Sequence, residues 1–165
     1  IDSAQLFADR KRAEDQILVA NERLQHLLSS TSAIIYTAKI SSDYGPTFIS
    51  QNITNILGYE PQEFSERSSF WIDHIHPEDA QRILTELPRI FEKDYDTYEY
   101  RFLHKNGHYI WMRDEMKLVR DEAGNPLEIV GVWMDVTERN EAEKRSALKS
   151  SDSKPYGKIH PLEWS

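Results

Sequence analysis

Five residues able to ligate a metal or move a proton fall close together: Asp73, His74, His76, Glu78 and Asp79. Imidazole beside carboxylate offers borderline and hard metal ligands, so the stretch superficially suits a cation. A simpler reading is a helix start. His76 precedes Pro77, whose ring fits a first helical turn, and Glu78 and Asp79 complement the positive end of a helix dipole. We adopt the helix start and expect no metal site. His104 and His108 flank Asn106-Gly107 and are expected to face water. His160 is followed by proline, where a phosphoacceptor helix would carry acidic and polar residues, and it is not read as a phosphorylation site. The chain has no cysteine, which removes disulfides, thiolate catalysis, zinc–sulfur sites and cysteinyl adducts together. No nucleophile–base pair, phosphate loop or paired catalytic carboxylate stands out. Gly58, Gly107, Gly124 and Gly131 are isolated glycines suited to turns or close packing. The chain is therefore not read as an enzyme.

These residues must be carried by 165 positions, room for one compact domain and flanking segments. A formal net charge of −8 argues against binding nucleic acid through diffuse electrostatics. No apolar run approaches the roughly 20 residues that cross a bilayer, and no signal peptide is visible, so no membrane contact is expected from this stretch. The lack of cysteine fits a reducing, cytoplasmic setting. A first residue of Ile1 rather than methionine suggests a piece of a longer protein, in which a membrane anchor would lie outside this stretch.

Three regions follow. Residues 1–31 hold apolar Leu6, Ala13, Ile17, Ala20, Leu24 and Leu27 at alternating three- and four-residue steps from Ala13 onward, with Arg10 breaking the seam. That pattern suits either an inter-chain coiled coil or an amphipathic helix lying on its own domain. Ser29 to Ser32 are expected to end it, since hydroxyls compete for backbone hydrogen bonds. Residues 32–137 read as a mixed domain. "AIIYTAKI" and "TFIS" form a hairpin around "SSDYGP". Ile53, Ile56 and Leu57 have helical spacing that Gly58 stops. The longest helix of this region begins at Pro77 and carries Ile83, Leu84, Leu87, Ile90 and Phe91, with a break expected at Pro88. Three alternating runs are then divided at Asn106-Gly107 and at Gly124-Asn125-Pro126. The sum is an α+β domain with a five-stranded antiparallel sheet and helices on one face. Residues 138–165 start as a charged helix and become a polar, proline-bearing tail, read as linker or foreign remnant.

"FISQNITNILGYEPQEF", "WIDHIHPEDAQRI" and "YEYRFLHKNGHYIWMRDEMKLVRDEAGNPLEIVGVWMDVTERN" resemble, in order, a PAS domain with its C-terminal PAC segment. The resemblance spans roughly residues 32–140. It implies a sensory, non-catalytic module of a larger signalling protein, such as a sensor histidine kinase or a diguanylate cyclase of two-component-type signalling. The alternative is a ligand-free dimerisation adapter. "DVT", Asp135 to Thr137, resembles the junction through which the last PAS strand passes to an output helix. From the residues themselves, the Thr137 hydroxyl is expected to cap the helix beginning at Glu138, with Asp135 holding a basic or amide partner.

The resemblance also bears on cofactors. Haem-binding relatives generally place a histidine on the long helix, and residues 78–91 contain none, which argues against haem. A covalent flavin adduct needs the missing cysteine. The cofactor is otherwise unassigned, and a non-covalent flavin or small apolar ligand stays open. Ile35, Ile53, Leu57, Trp71, Ile83, Leu87, Phe102, Trp111 and Val132 would line its pocket, or would simply fill the core. A homodimer through the N-terminal helix and the PAS surface is the expected partner.

Overall fold

The computed structural model describes residues 2–41 and 43–152. His160 and the tail beyond Asp152 lie outside them. Helix α1 (Ser3–Ser29) leads into strands β1 (Ala33–Ala38) and β2 (Pro46–Ile49). Four helices follow: α2 (Ile53–Leu57), α3 (Pro61–Glu66), α4 (Phe70–His74) and α5 (Pro77–Glu86). A 3₁₀ turn at Leu87–Arg89 separates α5 from α6 (Ile90–Lys93), which is the break expected at Pro88, whose ring cannot continue α-helical bonding. Strands β3 (Tyr95–Leu103), β4 (Tyr109–Arg120) and β5 (Pro126–Asp135) precede helix α7 (Thr137–Asp152).

The five strands form one antiparallel sheet in the order β2-β1-β5-β4-β3. The expected α+β architecture is observed. Two-residue alternation sorts every strand but the short edge strand β2. Ile34, Tyr36, Tyr98, Tyr100, Phe102, Met112, Met116, Leu118, Ile129 and Trp133 are buried on one face, against Ile53, Leu57, Phe64, Trp71, Ile83, Leu87 and Ile90 from the helices. Leu84, expected in that helical stripe, is instead exposed at 44%.

Helix starts and stops follow local chemistry. His76 caps α5, its Nδ1 accepting from the Glu78 amide at 3.2 Å, and Pro77 occupies the first turn. Gly58 ends α2 at φ 85°, a left-handed position that suits glycine, and a Cβ there would meet Lys105 at 2.8 Å. The hydroxyls of Ser29, Ser30 and Thr31 donate to the carbonyls of His26, Leu27 and Leu28 at 2.9, 2.7 and 2.8 Å, satisfying the last turn of α1.

Helix α1 corrects one alternative drawn from its pattern. It does not lie on its own domain: none of its 27 residues is buried. Its C-terminus is nonetheless fastened. Asn52, itself buried, directs Nδ2 at the carbonyls of Leu28, Thr31 and Ala33, and its Oδ1 accepts from Ser50 Oγ at 2.6 Å. No helix among the described residues is long and apolar enough to cross a membrane.

Candidate functional site

Two constellations stand out, one inside the domain and one where the sheet meets α7. The inner one begins with strand parity. Asp114 shares the buried face of β4 with Met112 and Met116 and is 2% exposed. Its register partner on β5 is Trp133. Tyr36 on β1 lies opposite Gly131 of β5, and its ring crosses that glycine to reach β4. A Cβ on Gly131 would fall 2.2 Å from Tyr36 Cζ, so the crossing requires glycine. Asp114 Oδ1 accepts from the Tyr36 hydroxyl at 2.6 Å, and Oδ2 accepts from the Tyr100 hydroxyl at 2.8 Å. Tyr100 in turn accepts from Trp71 Nε1 at 2.9 Å.

No cation pairs with Asp114 among the described residues. Burial therefore pushes its carboxyl up to about 7, although the two phenol hydrogen bonds pull the other way. Burial also raises both phenols well above their ordinary value, with Asp114 adding to the effect, and they stay protonated. The group borders a cavity of about 30 Å³ whose other walls include Ala38, Ile49, Phe64, Trp71 and Leu87. Half-buried Tyr44 and Pro46 also line it.

Of the nine expected pocket residues, Trp71 and Leu87 line this cavity. Ile53, Leu57, Ile83 and Phe102 are fully buried, and they pack the core without bordering the cavity. Ile35, Trp111 and Val132 are corrected: all three sit on the face of the sheet opposite the buried core. Ile35 and Val132 are register partners there. A one-residue error of parity moves a strand side chain across the sheet, and their neighbours Ile34, Tyr36, Met112 and Trp133 hold the buried places. Asp114 was missed, yet "MRDEMKL" carries its signal, an acid at the i+2 spacing of buried Met112 and Met116.

The second constellation is the junction. Thr137 does not cap α7 through its own hydroxyl, as expected. That oxygen accepts from the Trp111 amide of β4 at 2.9 Å, and the Val136 amide donates to the Trp111 carbonyl at 2.8 Å. The first helical bond runs from the Asn140 amide to the Val136 carbonyl, and Asp135 Oδ1 accepts from the Thr137 amide at 2.9 Å. Asp135 thus serves the helix start in place of the threonine. The correction has a local cause. Trp111 lies just beyond the last β4–β5 register pair, Met112 with Asp135, so its backbone groups seek partners in the next two residues.

The Trp111 side chain marks the same place. Half-buried, it holds the Arg101 guanidinium 5.5 Å from its ring centre and Lys144 Nζ of α7 at 5.6 Å. Arg101 is gripped by Asp79 of α5 at 2.9 and 3.0 Å and by Glu78 at 2.8 Å. Burial raises the Asp79 carboxyl, and the Arg101 hydrogen bonds and charge outweigh that, leaving it below its ordinary value. Arg139 of α7 pairs with Glu99 of β3. Two of the three acids of the cluster that superficially suited a metal are thereby engaged by one arginine, and the third, Asp73, pairs with Arg67. His74 Nδ1 lies 2.6 Å from the Phe70 carbonyl, its ring stacked on Phe70. His104 Nδ1 accepts from the Asn106 amide at 3.0 Å.

A family model described as the PAS fold matches residues 46–133. Over 142 residues the chain is 30% identical to the two-component sensor PprA of Pseudomonas aeruginosa, covering 86% of this chain and 15% of that protein. The chain thus spans about one seventh of that curated relative. Among solved structures, a sensory box histidine kinase/response regulator from Burkholderia thailandensis superposes with a TM-score of 0.61 at 28% identity, over 79% of this chain and 96% of that one. The N-terminal domain of a diguanylate cyclase with PAS/PAC sensor from Marinobacter aquaeolei gives 0.57 at 26% identity, over 66% and 98%.

Proposed function

The chain belongs to the PAS family, and from that premise we propose that it is a non-catalytic sensory module passing its state through α7 to a C-terminal output domain. A histidine kinase or a cyclic-di-GMP enzyme is the output that the similar proteins suggest. The observation carrying the reading is the pair of hydrogen bonds that join the Trp111 backbone to the Thr137 hydroxyl and the Val136 amide at the start of α7. A shift of β4 would be passed to Val136 and Thr137 through these two well-formed hydrogen bonds. The ring of Trp111 reports on the opposite side as well, through Arg101 to α5. A change in the helical layer is thus offered a route to α7.

Amide hydrogen exchange over residues 138–149 tests the relay. Thr137→Val keeps the shape and removes the acceptor for the Trp111 amide. Exchange across the first turns of α7 should then quicken, with residues 33–110 unchanged. Unchanged exchange in α7 would mean that the strand merely stops there.

A second reading, a ligand-free dimerisation adapter, draws on α1. Ile17, Leu24 and Leu27 are each more than half exposed on a helix that buries nothing. The two readings are compatible in structure and differ in whether the cavity takes a ligand.

A further inference from the structure

We propose that Asp114 is a proton-operated catch between strands: ionised, it holds Tyr36 of β1 to β4, and protonated, it keeps Tyr100 of β3 and loosens Tyr36. This names the proton as a signal the module takes. That the catch governs α7 rests on the sensory reading above; the catch itself does not.

The catch joins strands that are not neighbours. In the order β2-β1-β5-β4-β3, β5 separates β1 from β4. The Tyr36 ring crosses it over Gly131, and the hydroxyl donates to Asp114 Oδ1 at 2.6 Å. This bond is a direct tie between two strands that share no backbone pairing. Tyr100 donates to Oδ2 at 2.8 Å from β3, a strand paired with β4 along its length.

The two phenols differ in what they already accept. The Tyr100 oxygen takes the Trp71 indole hydrogen at 2.9 Å and that of Trp133 as well, so both of its lone pairs are used. Among the described residues no donor reaches the Tyr36 oxygen. A carboxylate that takes a proton keeps one strong acceptor, its carbonyl oxygen, and gains an O–H that needs an acceptor of its own. Tyr100 has none to give. The carbonyl therefore stays at Oδ2, and the proton, drawn from water, adds to a lone pair of Oδ1. Tyr36 must then turn its hydroxyl to accept, sending its own hydrogen elsewhere. Of the side chains bordering the cavity, only that of Tyr44 carries another oxygen. Either way the charge-assisted bond to Tyr36 is lost.

The surroundings leave this equilibrium to Asp114 alone. Tyr36 and Tyr100 face it from β1 and β3, and their phenols stay protonated. The cavity walls from α3, α4 and the 3₁₀ turn are Phe64, Trp71 and Leu87, none of which titrates. Tyr44, from the loop between β1 and β2, has a phenol that burial also raises. The buried acid of α5, Asp79, is taken by Arg101. Glu115, the next residue of β4, bears on Asp114 in the same direction as burial. With its carboxyl pushed up to about 7, Asp114 populates both forms around neutral pH.

Carbon and proton NMR of the whole chain between about pH 5 and about pH 9 tests the catch. The Asp114 carboxyl resonance should titrate with a midpoint of about 7. The α-protons of Gly131, which lie against the Tyr36 ring, should shift with the same midpoint. Asp114→Asn turns an NH2 toward Tyr36 in place of the carboxylate, so it should hold Gly131 at its low-pH position at every pH. Tyr36→Phe keeps the ring and removes the hydroxyl. It should leave Asp114 titrating and abolish most of the Gly131 shift, and it serves as the test if Asp114→Asn does not fold. The catch is overturned if Gly131 ignores pH while Asp114 titrates, or if Gly131 follows pH equally in Tyr36→Phe. It is also overturned if Asp114 keeps one form across the range. A response confined to the Trp71 indole would do the same, since it would place the loosened phenol at Tyr100. A Gly131 response with the amides of residues 138–149 unmoved upholds the catch and overturns only its connection to α7.

Discussion

A carboxyl on the apolar side of a strand couples folding to pH. Asp114 has an ordinary value of 3.8 and is pushed up to about 7 in the fold, so the native state holds a proton that the unfolded chain releases. Stability therefore falls as pH rises from about 4 to about 7, by at most about 1.4 kcal/mol per unit, and levels off above that. Asp114→Asn keeps the shape and cannot ionise, although its amide oxygen accepts from only one of the two phenols and its NH2 can only donate toward the other. Urea unfolding of both proteins at about pH 5 and about pH 8 should show the asparagine variant gaining relative to wild type by a few kcal/mol at the higher pH. Parallel pH profiles would show that Asp114 titrates alike in both states. Gly131 supports the same site by an absence of atoms. Gly131→Ala should displace the Tyr36 ring and break its bond to Asp114, costing about 1–3 kcal/mol.

Elements were legible in the sequence wherever a local rule sufficed. The Asn106-Gly107 turn, the Pro88 break, the Gly58 stop and the His76–Pro77 start each depend on a few adjacent residues, and each is found in place. The site was less legible because it depends on parity and on partners far along the chain. Ile35, Trp111 and Val132 were assigned one position away from the buried residues, and nothing in strings such as "IVGVWM" fixes which set faces inward. Thr137 has the residue type of a cap, and its actual partner, the Trp111 amide, lies 26 residues earlier. Asn52 escaped notice for the same reason, its carbonyl partners being 19 to 24 residues upstream. Its role gives a test at this scale. Asn52→Ala should remove a shared donor from the carbonyls of Leu28, Thr31 and Ala33, costing about 2 kcal/mol and speeding amide exchange around residues 26–34. A change below about 0.5 kcal/mol would mean that water replaces the amide freely and that α1 is not anchored there.

At the scale of the molecule, α1 poses the largest energetic question. It carries 27 residues, about 40 Å of helix, and its apolar residues Phe7, Ile17, Val19 and Leu24 are all more than half exposed. A helix of that length owes most of its stability in water to a packed apolar face, and the domain supplies none beyond the Asn52 anchor and half-buried Leu28. A second copy offers the missing surface, with Ala13, Ile17, Ala20, Leu24 and Leu27 alternating at the three- and four-residue steps of a coiled-coil seam. Because α1 enters β1 directly, and β1 pairs with β5, a paired α1 would hold two sensory domains at a fixed separation with both α7 helices leaving from the β5 ends. Multi-angle light scattering decides the matter. The whole chain should be dimeric at tens of micromolar, and removal of residues 1–28 should leave a folded monomer. Ile17→Glu with Leu24→Glu, which places like charges across the seam, should do the same without shortening the chain. If all three proteins are monomeric the seam has no partner in this chain, and if all three are dimeric the contact lies on the sheet instead.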